Sequence, residues 1–346
     1  MRMCFITDMS RKDVFGLEFV EYFSETNDVD VITFSDYKDG YILGSKSIIR
    51  NIRYVKKLLK KLSPDVVVSL NIDGHTLLSA LSGFHPFVFF SYGSDISYSM
   101  YLSVFENMRG RFILSKADLV MAQDKIIYDR LIQLKVAPRK IFLKHWGVDT
   151  RFYHMANKKK KYDVVNIHGY NTTFYRYVDV YLKALNVLKD NGMDVRSLLI
   201  GNTGYYDELI TELGLSDVLT QKEFLEPEQF RDILWESKLV VDPMYPMYHD
   251  GCGYGVGIIQ AMGCGIPVLC ADRKSMMMDG WDRWFYGLSF KHCSHHSLAS
   301  WIRILLGNKN ILDRVSYLNR VSVEKNFDKD KNMALIEQRI KGLVKE

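Results

Sequence analysis

Residues 250–272 read DGCGYGVGIIQAMGCGIPVLCAD. Glycines stand at 251, 253, 255 and 257, and the last of them runs straight into an apolar helical pattern. Glycine lets backbone N–H groups approach an anion closely, and a helix starting there adds roughly half a positive charge at its N-terminus. A phosphate or diphosphate suits such an entry. A plain loop before a core helix gives the same letters. Asp95, in the turn SYGSDI, offers a carboxylate to a ligand, or caps the helix that follows. Asp73-Gly74-His75 ends an apolar run; His75 reads as a surface histidine, with acid–base work as the alternative. His292, Cys293, His295 and His296 are metal-ligand types, but neighbouring side chains diverge, which is poor geometry for a tetrahedral site. They read as a loop before a helix over 298–306, with Ser297 as its cap, and no metal site is expected.

Residues 46–62 form a distinctive helical pattern. Ile48, Ile49, Ile52, Val55, Leu58, Leu59 and Leu62 make one apolar face. Seven cations and no acid occupy the rest, among them Arg50, Arg53, Lys56, Lys57 and Lys60. The helix is either a solvated face packed on a core or a contact for an anionic surface such as a membrane.

The elements that must position these groups follow from periodicity. Short apolar runs at 3–7, 29–34, 65–70, 86–91, 119–122 and 141–144 read as buried strands, with helical patterns at 14–23, 47–62, 77–81 and 125–136 between them. The lysine run of 157–161 interrupts the series, which then restarts with strands at 164–168, 197–200, 239–242 and 266–271. Helices are expected at 177–189, 207–213, 227–236 and 257–262, and again over the last ~20 residues. Strands alternating with helices imply parallel sheets covered on both faces. At 346 residues the chain has room for two such domains. Apolar residues make up 47% and charged residues 25%, which excludes a disordered chain. The formal charge of +5 is too mild to point to nucleic acid. Five cysteines without a CxxC pair fit a reducing compartment. The opening residues lack a signal-peptide core, and no apolar run approaches the ~18 residues of a spanning helix. The expected location is cytoplasmic and peripheral to a membrane.

GYGVGIIQAMGCGIPVL resembles the donor-binding stretch of GT-B glycosyltransferases of the family 4 (group 1) type, which reads E-G-F-G-L-x-x-x-E-A-M-A-x-G-x-P-V-V. Further blocks agree in order. SYGSDI is similar to the family's H-G-S-D-I turn. Residues 117–152 resemble its A-D block ending in N-G-V-D-x-x-x-F, and EFLEPEQFRDILWESKLVVDP its F-x-G-x-V…A-D-x-x-V-x-P-S. The departures are specific. Cys252 and Gln260 replace the family's two glutamates, with Asp250 as a substitute carboxylate if the loop is rerouted. Gly169-Tyr170 loses the first cation of the basic pair, and Arg176 keeps the second. Tyr92 replaces the turn's histidine, and residues 7–10 lack the glycine-rich loop.

The resemblance implies two Rossmann-like domains facing across a cleft: 1–157 on the acceptor side and 158–328 on the donor side, with 329–346 packing back on the first. It implies retaining transfer of a sugar from a nucleotide-activated donor to a lipid-linked or glycan acceptor, without a cofactor or metal. Gly169, Tyr170, Arg176, Asp250, Gly253, Tyr254, Gly255, Val256, Gly257 and Gln260 are the implied donor contacts. Asp95 and Arg176 are the implied catalytic pair. A non-catalytic GT-B partner subunit and a sugar-nucleotide epimerase are the alternatives.

Overall fold

A computed structural model describes residues 1–7, 14–33, 45–167, 177–201, 204–243, 255–271 and 288–345. The chain divides into two compact units, Met1–His145 with Ala334–Glu346, and Trp146–Met333.

In the first unit six strands form one parallel sheet in the order β2-β1-β3-β4-β5-β6. They are β1 (Arg2–Ile6), β2 (Asp28–Ile32), β3 (Val66–Leu70), β4 (Phe87–Phe90), β5 (Leu119–Ala122) and β6 (Ile141–Leu143). The connecting helices are α1 (Val14–Ser24), α2 (Ser45–Leu62), α3 (Gly74–Ser82), α4 (Ser94–Ser97), α5 (Val104–Lys116) and α6 (Lys125–Gln133). The alternation of side chains along β1 divides the core. Cys4 and Ile6 join a cluster with Val55 and Leu59 of α2, Leu78 of α3 and Ile113 of α5. Phe5 points the other way and meets Phe23 of α1 at a ring-centroid distance of 5.9 Å.

The second unit repeats the plan in the order β12-β11-β10-β7-β8-β9, again all parallel. Its strands are β7 (Tyr162–Asn166), β8 (Ser197–Ile200), β9 (Leu219–Lys222), β10 (Ser237–Asp242), β11 (Val268–Ala271) and β12 (Ser289–Phe290). Its helices are α7 (Val178–Asp190), α8 (Asp207–Glu212), α9 (Pro227–Trp235), α10 (Val256–Gly263), α11 (His295–Leu306) and α12 (Lys309–Asn326), followed by α13 (Lys329–Lys345). Alternate residues of one strand again feed two cores. Val164 packs with α7 and α11, and Val165 with α9, α10 and Phe327.

Several features differ from the sequence reading, among them helix α12 and strand β12, which it did not predict. The division falls at 145/146, ahead of the lysine run, because Val148 and Tyr153 are buried in the second core. Helix α5 was not legible, since its apolar residues do not gather on one face. The edge strand β9 (LTQK) buries only Leu219 well, so it carries no run of apolar letters. Along α13, Ile336 and Ile340 are fully buried, and Glu337 Oε1 accepts from Thr26 Oγ1 (3.1 Å) and Asn27 Nδ2 (2.8 Å) beside α1.

Gly147 opens the second unit. Val148 N–H donates to Phe327 O at 2.8 Å, and Lys329 N–H donates to Val148 O at 3.0 Å. This pairing brings two backbones together at Gly147, whose φ is +90° and whose missing Cβ would lie 2.5 Å from Phe327 O. Gly83 also has a positive φ, +70°, but open space around it. Gly147→Ala should therefore destabilise by about 2–3 kcal/mol through strain and collision, and Gly83→Ala by about 1 kcal/mol through strain alone. Urea denaturation of the two variants beside the wild type measures the difference; equal losses would show that the collision relaxes.

Candidate functional site

Parallel strands end on one edge of their sheet, and connections there hold ligand sites in folds of this kind. In the second unit β7 and β10 are neighbours, so the chain leaves both at this edge, after Ile167 and after Pro243. It re-enters at Gly255, the N-cap of α10, which carries no side-chain cap. The first N–H groups of α10 thus lack the usual capping oxygen, the state of a helix end that can receive an anion.

Gly257 fits this helix start tightly against β7. A Cβ there would lie 2.8 Å from Ile167 Cδ1 and 3.9 Å from Gln260 Oε1. The structure therefore brings together Gly255, Val256, Gly257, Gln260 and the end of β7. Gly169, Tyr170, Arg176, Asp250, Cys252, Gly253 and Tyr254 lie outside the described residues.

The far end of α10 is held by a residue that sequence reading missed. Arg320 of α12 donates from Nη1 to Gly263 O (2.7 Å) and Tyr153 O (2.6 Å), and from Nη2 to Thr150 O (3.0 Å). A guanidinium on the last carbonyls complements the helix dipole. Asn319 Nδ2 adds a bond to Ile266 O at 3.0 Å. Arg320 Nε also pairs with Glu324 one turn on, a spacing legible in sequence, but the three carbonyls it binds come from distant parts of the chain and no sequence pattern marks them.

In the first unit Asp95 is 1% exposed. Gly93, at φ +88°, turns the chain after β4. Ser91 Oγ donates to Asp95 Oδ1 at 2.8 Å, and Ile96 N–H donates to the same oxygen at 3.0 Å. Ser91 Oγ in turn accepts from Gly93 N–H at 2.9 Å. Asp95 Oδ2 is buried without a hydrogen-bond partner. Burial pushes the Asp95 carboxyl up to about 6, against the pull of Ser91 and the backbone N–H groups. Gly93, rather than Asp95, occupies the N-cap of α4. Two further residues at this strand edge were not singled out from sequence. Thr7 follows β1 and keeps Oγ1 buried and unpartnered. Arg109 of α5 donates from Nη2 to Ile72 O at 3.0 Å and pairs with Glu106.

His75 is buried rather than on the surface, 3% exposed. Its Nδ1 lies 3.5 Å from Asp73 Oδ2, while Asp73 Oδ1 caps α3 by accepting from Thr76 N–H at 2.9 Å. In the HCSHH stretch Ser294, not Ser297, caps α11, accepting from Ser297 N–H at 3.2 Å. On α2, Arg50, Arg53, Lys56, Lys57, Lys60 and Lys61 are all exposed. No described helix is long and apolar enough to cross a membrane.

Residues 152–321 match the family model described as glycosyl transferases group 1, and residues 3–124 match that described as glycosyl transferase 4-like. Several solved structures match along nearly the whole chain. HepE from Anabaena, in complex with UDP and glucose, is 15% identical with a TM-score of 0.76, over 99% of this chain and 100% of that one. A glycosyltransferase from Rickettsia africae is 14% identical with a TM-score of 0.78, over 100% of this chain and 98% of that one. Sucrose-phosphate synthase from Thermosynechococcus elongatus is 14% identical with a TM-score of 0.76, over 99% of each chain. At such identities the likeness is one of fold. No curated protein sequence gives a match. The two parallel-sheet units are those of the GT-B fold. On the two family matches together, the chain belongs to the GT-B glycosyltransferases of the group 1, family 4-like type.

The raised pKa of Asp95 has a thermodynamic consequence. The folded state binds this proton more tightly than the unfolded chain does, so stability falls as pH rises from about 4 through about 6. Above that range the buried carboxylate costs about 3 kcal/mol. His145, pushed down to about 3 by burial and then by Lys144, acts in the opposite sense and loses stability as pH falls below its ordinary range. Asp95→Asn keeps an acceptor for Ser91 and isolates the first effect. It should be more stable than the wild type by up to about 3 kcal/mol at neutral pH, with the gap closing by about pH 4. Urea denaturation across this range checks it; a pH-independent gap would place the cost elsewhere.

Proposed function

We propose that this chain transfers a glycosyl group from a nucleotide-activated sugar to a glycan or lipid-linked acceptor. The observation that carries the reading is the start of α10, whose N-cap Gly255 brings no capping side chain and whose Gly257 lies against Ile167 at the end of β7, inside the group 1 match. The HepE complex with UDP and glucose makes UDP-sugars the first donors to test.

As the glycosidic bond to the diphosphate breaks, negative charge collects on the leaving group and positive charge on the sugar carbon. The N-terminus of α10 and Arg176 supply positive potential where the diphosphate charge develops. Gln260 accepts from the donor ribose through its carbonyl oxygen. The carboxylate of Asp95, with one oxygen fixed by Ser91 and the other unpartnered, accepts a hydrogen bond from the acceptor or sugar hydroxyl. Helix and guanidinium provide the charge stabilisation that a divalent metal would otherwise supply, so the reaction is expected to proceed in EDTA; retention of anomeric configuration is expected from the family resemblance alone. The cations of α2 are proposed to approach an anionic membrane that carries the acceptor.

One observation favours a second reading. Cys252 and Gln260 stand where the family has its glutamates, so the chain could instead serve as a non-catalytic, glycan-binding subunit.

Nucleotide release and sugar transfer by the wild type and three variants separate the two. Arg176→Ala should lower turnover ~30- to ~1,000-fold, since the cation acts chiefly in the transition state. Gln260→Ala should mainly raise the donor KM, because a ribose contact changes little along the reaction. Gln260→Glu should be tolerated. If no UDP-sugar or other nucleotide-sugar shifts the melting temperature, and Arg176→Ala changes no measured activity, the transferase reading gives way to the second.

A further inference from the structure

The connection that carries Asp95 continues into an exposed apolar ridge. After α4 and the 3-10 turn Ser99–Tyr101, α5 begins at Val104. Leu102 is 61% exposed, Val104 78%, Phe105 49% and Met108 66%. Isolated exposed apolar residues are ordinary, but four within seven positions make a patch that marks an interaction surface. A side chain as exposed as Val104 has little protein around it. The patch is therefore a ridge rather than a groove, and its partner must be able to yield around it.

The charge on the helices that share this layer points to that partner. Helix α3 packs between α2 and α5. These three helices contain ten cations and one acid, Glu106, which is paired with Arg109. Among the described residues, none of the six exposed cations of α2 from Arg50 to Lys61 has an acidic partner. Ile49 and Tyr54 are exposed among those cations, at 50% and 51%. Apolar side chains set within positive charge match a bilayer that offers anionic headgroups outside and a deformable apolar interior beneath.

We propose that Leu102, Val104, Phe105 and Met108 insert into the acyl boundary of an anionic bilayer while α2 holds its headgroups. This rests on the reading of α2 given above and extends it: the first unit enters the membrane beside the Asp95 turn, so the acceptor is one that the bilayer itself presents. Attraction through α2 alone would fade as salt screens it. The inserted ridge adds binding that salt does not screen.

The test uses the full chain with vesicles of phosphatidylcholine alone and of phosphatidylcholine mixed with phosphatidylglycerol. The wild type should sediment with the mixed vesicles and retain part of that binding at about 0.5 M salt. A variant combining Leu102→Ser, Val104→Ser, Phe105→Ser and Met108→Ser should keep low-salt binding but lose the salt-resistant part, by about 100-fold. Val104→Trp provides a single-site readout. Relative to the wild-type background, its emission should shift to the blue on mixed vesicles and be quenched by brominated acyl chains. Binding that leaves this tryptophan unshifted and unquenched would overturn insertion while the α2 reading survives. No binding to any vesicle would remove both. Ridge-dependent self-association in sedimentation velocity, with no insertion, would assign the ridge to a second copy and overturn the proposal. Insertion without turnover on any nucleotide-sugar supports the membrane footprint and counts only against glycosyl transfer.

Discussion

A parallel sheet covered on both faces buries each inner strand twice, and this constraint organises both units. The inner strands must be largely apolar, as VVVSL in β3 and the Leu239–Val241 run of β10 are, while the edge strands β2 and β9 are spared. The strands must also all end on one edge, because parallel neighbours are joined by crossover returns, and every described return passes through a helix. Polar and glycine-rich connections therefore collect at one end. Thr7, Ile72, Ser91 and Asp95 meet this edge in the first unit, and Ile167, Gly255 and Gly257 meet it in the second. Closeness at the edge depends on small residues. Glycine at 257 lets α10 start against Ile167 without displacing the end of that side chain, and Arg320 fixes the other end of that helix.

Two buried aspartates show how environment assigns a role. Asp163, near the start of β7, is 8% exposed, and burial works to raise its pKa. Arg196 donates to both of its oxygens at 3.0 Å, Lys238 lies 2.8 Å away, and together they hold it at about 2. It is a permanently ionised structural clasp. Asp95 has a hydroxyl and backbone N–H groups around one oxygen and no cation among the described residues, so burial prevails and the carboxyl rises. A group left near neutrality with an open acceptor is costly to the fold and suited to chemistry. That it sits at the ligand edge of its sheet, while Asp163 lies at the opposite end of the other, agrees with this division.

Charge is distributed with similar economy. In the second unit many surface cations are paired, as Lys158 is with Asp232 and Lys189 with Asp217. On α2 the same residue type is repeated without any acid. Exposed pairs add little stability, so the contrast bears on what the surface meets rather than on how firmly the unit folds.

The sequence by itself determined the repeated strand–helix alternation, the two-unit plan, the family blocks in their order and the basic face of α2. Each of these is written in neighbouring residues, as periodicity or as a contiguous motif. The glycine entry to α10 was legible for the same reason. Tertiary structure decided the rest. Whether Asp95 capped a helix or lay buried with an open oxygen depended on Ser91 and on the packing around it. His75 is buried although its local sequence suits a surface. Arg320 acquired its position from three carbonyls that no spacing connects. The boundary moved to 145/146 because the residues ahead of the lysine run are buried in the second core. Burial, pKa and backbone collisions are sums over contacts between distant segments, and those sums exist only once the chain has folded.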